Sequence, residues 1–158
     1  MTTPLAAAEV AGLLAARGET LAVAESLTGG LLAATVVEVP GVSAVFRGGF
    51  VVYATDLKHA LAGVPADLLA ERGPVDPDVA QALAEGARQR CGADWGVATT
   101  GVAGPDPQGG KPVGTVFVGV AGATHKFARE LSLTGDRGDI RRAAVLSALA
   151  LLGDELRK

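Results

Sequence analysis

Residues 20–31 read Thr20-Leu21-Ala22-Val23-Ala24-Glu25-Ser26-Leu27-Thr28-Gly29-Gly30-Leu31. The run from Thr20 to Glu25 is short and apolar and reads as a buried strand. Ser26 to Gly30 is rich in turn formers and breaks it. From Leu31 to Val39 the apolar residues suit a helix, which Pro40-Gly41 halts. A strand feeding a helix through a tight turn is the first half of a parallel crossover unit. The same grammar recurs on either side. Upstream, Thr3 is placed to cap a helix with Pro4 at its first position, ending at Arg17-Gly18. Downstream, Val45 to Tyr53 reads as a second strand, and Thr55–Ala62 and Pro65–Arg72 as short helices. Asp76 can cap a helix from Pro77 to Cys91. Trp95–Thr99 is a third strand, and residues 100–112 form a Gly/Pro-rich loop. Val113–Val120 and His125–Leu133 are strands joined by a hairpin-like turn at Gly122-Ala123. Asp136 can cap a last helix over about 139–156. Alternating strands and helices predict an α/β fold with a mixed, largely parallel sheet between helical layers.

Composition agrees with a single domain over residues 1–158. Hydrophobic residues make up 49% and charged residues 20%, which suits one compact core. The net charge of −3 gives no basic face for nucleic acid and none for a membrane surface. No apolar run reaches the roughly 18–20 residues of a membrane span. The Met1-Thr2-Thr3-Pro4 start lacks the basic and apolar segments of a secretion signal, so a cytoplasmic location is expected. One cysteine, Cys91, and two histidines cannot build an ordinary Cys/His metal site, so neither a metal nor another cofactor is expected. The 22 glycines are about twice average usage and cluster between apolar runs.

Four segments could carry chemistry. Ala24-Glu25-Ser26-Leu27-Thr28-Gly29-Gly30 ends a strand and opens a helix, where ligands of open α/β sheets gather. Ser26 supplies a hydroxyl there, and the N–H groups of Thr28, Gly29 and Gly30 could hold an oxyanion. The plainer reading makes Ser26 or Thr28 a helix cap. In Phe50-Val51-Val52-Tyr53-Ala54-Thr55-Asp56-Leu57-Lys58, Tyr53 and Lys58 can reach the same rim. A lysine with a lowered pKa can serve as base to a serine; alone, Lys58 reads as a solvated helix residue. Thr99-Thr100-Gly101-Val102-Ala103-Gly104-Pro105 ends another strand in a glycine loop that could cradle phosphate. It fails as a P-loop, since Lys111 precedes Pro112, and no G-x-G-x-x-G occurs. Arg137 and Arg141, at the start of the last helix, could clamp a phosphate with help from the helix dipole, or be solvated charges. Glu25 could orient a site or pair with Lys58 or an arginine.

Taken as an ordered set, Ala-Glu-Ser-x-Thr-Gly-Gly, Gly-Gly-Phe-Val-x-Tyr with a lysine five residues on, Thr-Gly-x-Ala-Gly-Pro, Lys-Pro-Val-Gly-Thr-Val and Gly-Asp-Arg resemble the CinA C-terminal domain family. The resemblance runs from about Leu5 to Leu152. It implies a three-layer α/β/α sandwich and hydrolysis of the carboxamide of nicotinamide mononucleotide (NMN) to nicotinic acid mononucleotide and ammonia, in pyridine nucleotide recycling. It also implies a serine nucleophile and a lysine base, here Ser26 and Lys58, with Tyr53 and Thr100 beside them. A homo-oligomer, with a dimer favoured, follows from the same resemblance. Longer CinA proteins carry an additional N-terminal domain for which 158 residues leave no room. Leu27 stands where many members have cysteine, a change of packing. The alternative is a non-catalytic nucleotide-binding module in a competence or DNA-damage response, with Ser26 as cap and ligand contact. Gly101 and Gly104 would serve phosphate binding in either case.

Overall fold

The structure, a computed structural model, describes residues 1–158. Helix α1 spans Thr3–Arg17, strand β1 Leu21–Glu25, helix α2 Leu31–Val37 and strand β2 Phe46–Val51. Helices α3 (Thr55–Ala60), α4 (Ala66–Arg72) and α5 (Pro77–Arg90) follow. Strands β3 (Trp95–Gly101), β4 (Thr115–Ala121) and β5 (Lys126–Ser132) precede helix α6 (Arg137–Leu156). The expected α/β sandwich with a mixed sheet is present. Strand order is β2-β1-β3-β4-β5; β1 pairs in parallel with β2 and β3, and the β3–β4 and β4–β5 pairs are antiparallel. The parallel part is therefore the half that carries the crossovers; the antiparallel half is the β3–β4 pair, joined by the loop over 102–114, and the β4–β5 hairpin.

Local rules explain most boundaries. The cap of α1 is Thr2, one residue before the expected Thr3; its hydroxyl accepts from the Leu5 N–H. Thr3 and Pro4 then fill the first helical turn, where proline's missing N–H costs nothing. Strand β2 stops at Val51, short of Tyr53, because its partner β1 ends at Glu25; the Val52 N–H makes the last rung, to the Glu25 carbonyl, and the chain then turns into α3. Helix α2 ends at Val37, before the Pro40-Gly41 break, and a 3-10 turn at Val42–Ala44 leads into β2.

The two faces of β1 sort the layers. Leu21 and Val23 pack with α1, α2 and α6; Ala22 and Ala24 pack with the α3–α5 side. Period-2 alternation thus places bulk under one layer and small side chains under the other. No helix is long and apolar enough to cross a membrane. The chain runs from β1 outward to β2, then back across to β3. Ligand crevices form outside the strand ends where such a reversal occurs. The carboxyl ends of β1 and β3 meet there, bringing residue 26 beside residue 100.

Candidate active site

Ser26 is the first residue after β1 and is buried. Its N–H donates to the Thr99 carbonyl at 3.1 Å, which extends the β1–β3 pairing by one step. Lys58 lies in the middle of α3 with only 1% of its surface exposed. It is not a solvated helix residue. Its Nζ donates to Ser26 Oγ at 2.9 Å, to the Val52 carbonyl at 2.7 Å and to the Tyr53 carbonyl at 3.2 Å.

These three partners satisfy either protonation state. An ammonium has three N–H donors and finds three acceptors. A neutral amine keeps two donors for the carbonyls and turns its lone pair to the serine hydroxyl. No carboxylate offsets the charged form, and burial lowers the Lys58 pKa from 10.5 to about 8. Desolvation alone accounts for that direction. The pair is further closed through the backbone, since the Val52 N–H donates to the Glu25 carbonyl at 2.8 Å. Val52 thus binds the residue before the serine with one polar group and the lysine with the other.

A cleft of about 520 Å³, counting its open mouth, is lined by Ser26, Lys58, Tyr53, Thr100, Gly101, Gly104 and Arg137. Its size suits a small organic ligand. Thr100 is buried and donates to the Pro74 carbonyl at 2.6 Å, so it fastens the β3 end to the segment before α5. The Arg137 guanidinium donates to the Gly104 carbonyl and, at 3.1 Å, to the Tyr53 hydroxyl. It spans the cleft between the glycine loop and the α3 side. Tyr53, by contrast, is largely exposed.

Other expected residues lie elsewhere. Thr28, Gly29 and Gly30 are not on the cleft wall. The Gly29 N–H donates to the Ser26 carbonyl at 3.0 Å, and the Gly30 N–H to the Glu25 carboxylate at 3.2 Å. Those two donors are spent and cannot serve an oxyanion. The Thr28 hydroxyl pairs with that of Thr99 at 2.8 Å behind the serine. Arg141 turns from the cleft to the turn itself, donating to the Leu27 carbonyl at 2.9 Å and the Thr28 carbonyl at 3.0 Å. It is therefore placed to hold backbone, not phosphate.

Glu25 pairs with neither Lys58 nor an arginine. Fully buried, it accepts from the N–H groups of Gly30, Leu32 and Ala33 and so caps α2 from the strand side. Asp76 caps α5, and Asp136 and Asp139 form a reciprocal capping box on α6. Each of these helix starts already holds a carboxylate, so the dipole assistance expected for a phosphate at α6 is occupied. Sequence reasoning missed the Val52 and Tyr53 carbonyls and the Pro74 carbonyl. Backbone acceptors carry no side-chain signature, and only the turn from strand to helix hinted at them. Asp106 and Gln108 also line the cleft; in the sequence their loop shows mainly its glycines and prolines.

Comparison with known proteins places these features in company. Residues 4–156 match the CinA C-terminal domain family. A CinA-like protein of Frankia casuarinae is 55% identical over 143 residues, 90% of this chain and 33% of that protein. One from Anaeromyxobacter sp. strain Fw109-5 is 54% identical over 151 residues, 94% of this chain and 36% of its own length. The chain thus spans about a third of the curated relatives it matches. Among solved structures, competence damage-inducible protein A of Klebsiella pneumoniae superposes with a TM-score of 0.97 at 33% identity, covering 99% of this chain and 98% of that one. The competence/damage inducible protein CihA of Agrobacterium tumefaciens gives 0.93 at 34% identity, covering 99% and 96%.

Proposed function

The chain belongs to the CinA C-terminal domain family, and from that premise we propose that it hydrolyses the carboxamide of nicotinamide mononucleotide, with Ser26 as nucleophile and Lys58 as base. The observation that carries the reading is the 2.9 Å contact between the Lys58 amine and the Ser26 hydroxyl, inside a cleft at the reversal of the sheet.

An amide is a poor electrophile, so attack needs a strong nucleophile and a held oxyanion. Neutral Lys58 takes the Ser26 proton as Oγ bonds to the carboxamide carbon. The tetrahedral intermediate collapses, its C–N bond breaks, and ammonia leaves with the proton from Lys58. An ester on Ser26 remains. Water, deprotonated by the same amine, attacks that ester and frees nicotinic acid mononucleotide. The Val52 and Tyr53 carbonyls hold the amine on line throughout. Arg137 and the Gly101–Gly104 loop are the groups on the wall suited to the phosphate, and Tyr53 lies where the pyridinium ring could rest against it.

The test is ammonia release from NMN by the purified protein, its Ser26→Ala variant and its Lys58→Met variant. Wild type should turn over. Either variant should lose at least about a hundredfold in kcat, within the range general-base and nucleophile deletions give. NMN bound without turnover by wild type would favour the non-catalytic nucleotide-binding module.

A further inference from the structure

An amide hydrolase must offer N–H donors to the oxygen that becomes negative, and Gly29 and Gly30 have none to offer. Most polar groups of the turn are already paired, the Thr28 carbonyl with the Leu31 N–H among them. The Ser26 N–H goes to Thr99, and the Ser26 carbonyl accepts from Gly29. The Leu27 and Thr28 carbonyls accept from Arg141. The Gly30 N–H goes to Glu25. Only the N–H groups of Leu27 and Thr28 donate to no protein acceptor, and of these two residues Leu27 alone lines the cleft.

Orientation follows from peptide planarity. The Ser26–Leu27 bond is trans, since the sole cis bond is Gly104–Pro105. In a trans peptide the carbonyl and the following N–H point in opposite directions. The Ser26 carbonyl is turned to Gly29, so the Leu27 N–H points away from Gly29, and Leu27 lies on the cleft wall. A backbone N–H one residue past a nucleophile is well placed for the oxygen of the group being attacked.

Two side chains hold the turn, one through its N–H groups and one through its carbonyls. Glu25 grips the N–H groups of Gly30, Leu32 and Ala33. The Arg141 guanidinium grips the Leu27 and Thr28 carbonyls with two donors set in one rigid plane, a geometry that a lysine ammonium does not fix. We infer that the Leu27 N–H is the oxyanion donor of this site, and that Glu25 and Arg141 are positioning residues that clamp the Ser26–Gly30 turn so that this donor faces the cleft. The inference rests on the amidohydrolase reading above.

The probe is the aldehyde analogue of NMN, in which a formyl group replaces the carboxamide. Ser26 Oγ adds to its carbonyl carbon, the C=O π pair moves to oxygen, and the serine proton passes to Lys58, giving reversibly a hemiacetal alkoxide whose negative oxygen sits where the oxyanion of the reaction would. Calorimetric titration gives its Kd for wild type, Glu25→Gln and Arg141→Lys. NMN itself is titrated into the same variants in a Ser26→Ala background, where no covalent bond forms. The expected result is a loss of about 10- to 100-fold in aldehyde affinity and in kcat, with NMN affinity and KM changed less than about threefold. Equal losses for both ligands, or none for the aldehyde, would overturn the assignment. If Glu25→Gln does not fold, Arg141→Lys carries the same comparison alone. A wild type that neither releases ammonia from NMN nor binds the aldehyde more tightly than NMN brings down the amidohydrolase reading as well. Turnover by wild type with unaltered variants brings down only the clamp.

Discussion

A lysine amine with 1% exposure and no carboxylate partner gives up its proton more readily than one in water. As the base of the proposed reaction, Lys58 works only when neutral. kcat/KM should therefore rise with pH, tenfold per unit well below pH 8, and level off above it, since the lysine pKa lies at about 8. A profile flat from pH 6 to 9 would exclude this amine as the base. Lys58→Arg should be nearly inactive over the whole range, because a guanidinium does not deprotonate. At this scale the sequence was partly legible. Taken singly, Ser26 reads as a helix cap and Lys58 as a solvated helix residue; only the ordered set of motifs paired them. Glu25 was visible as a charge but not as a cap, because its partners are backbone N–H groups contributed by residues five to eight places on. Arg141 misled for a related reason. A guanidinium fits carbonyls and phosphates equally well, and residue type alone does not say which is nearer.

Helix α5 lies against the sheet more closely than ordinary side chains would allow. A Cβ at Gly119 in β4 would stand 2.1 Å from the Ala80 carbonyl oxygen, and one at Gly96 in β3 would stand 2.0 Å from that of Ala84. On its other side, a Cβ at Gly86 would stand 1.9 Å from the Ala62 carbonyl oxygen, in the turn that follows α3. These approaches set the depth at which α3 carries Lys58 toward the cleft. Gly119→Ala should destabilise the protein by about 1–3 kcal/mol, as overpacking does, in urea unfolding. Gly86→Ala is the sharper case. In an open helix that change gains about 1 kcal/mol. Here it should lower stability and also reduce kcat, because relieving the overlap moves the α3–α4 turn and with it the lysine. A stabilised, fully active Gly86→Ala protein would show that the spacing is slack. The strands were legible as elements, since β1 and β3 are apolar throughout and bounded by turn formers. Their exact ends were not. Tyr53 has strand propensity, yet β2 has no partner beyond the rung between the Val52 N–H and the Glu25 carbonyl, because β1 ends there. The glycines inside strands gave no sign of which helix would lie over them.

For the molecule as a whole, the layered order was readable because helix and strand periods alternate cleanly and the hairpin signal at Gly122-Ala123 sits late in the chain. Which strand ends would meet was not, since the reversal from β2 back across β1 to β3 is a tertiary event. That same burial at the reversal makes folding stability depend on pH. In the folded protein Lys58 titrates at about 8, against an ordinary 10.5 that the unfolded chain keeps. Between those values the unfolded chain holds a proton that the folded one lacks, so unfolding takes up a proton and stability rises with pH across that window. Below pH 8 both states are protonated, and the folded protein bears the cost of burying the ammonium. Lys58→Met removes the titration while keeping an unbranched side chain one atom shorter. Wild type should therefore gain on Lys58→Met between pH 8 and 10.5 by at most about 3–4 kcal/mol, at about 1.4 kcal/mol per unit of pKa difference. Urea unfolding of both proteins at intervals of half a pH unit measures the difference, and subtracting the two curves cancels every other group common to them. A difference independent of pH would mean that the buried amine keeps its proton to the same pH as a free lysine. The rising limb of the activity profile below pH 8 would then need another source.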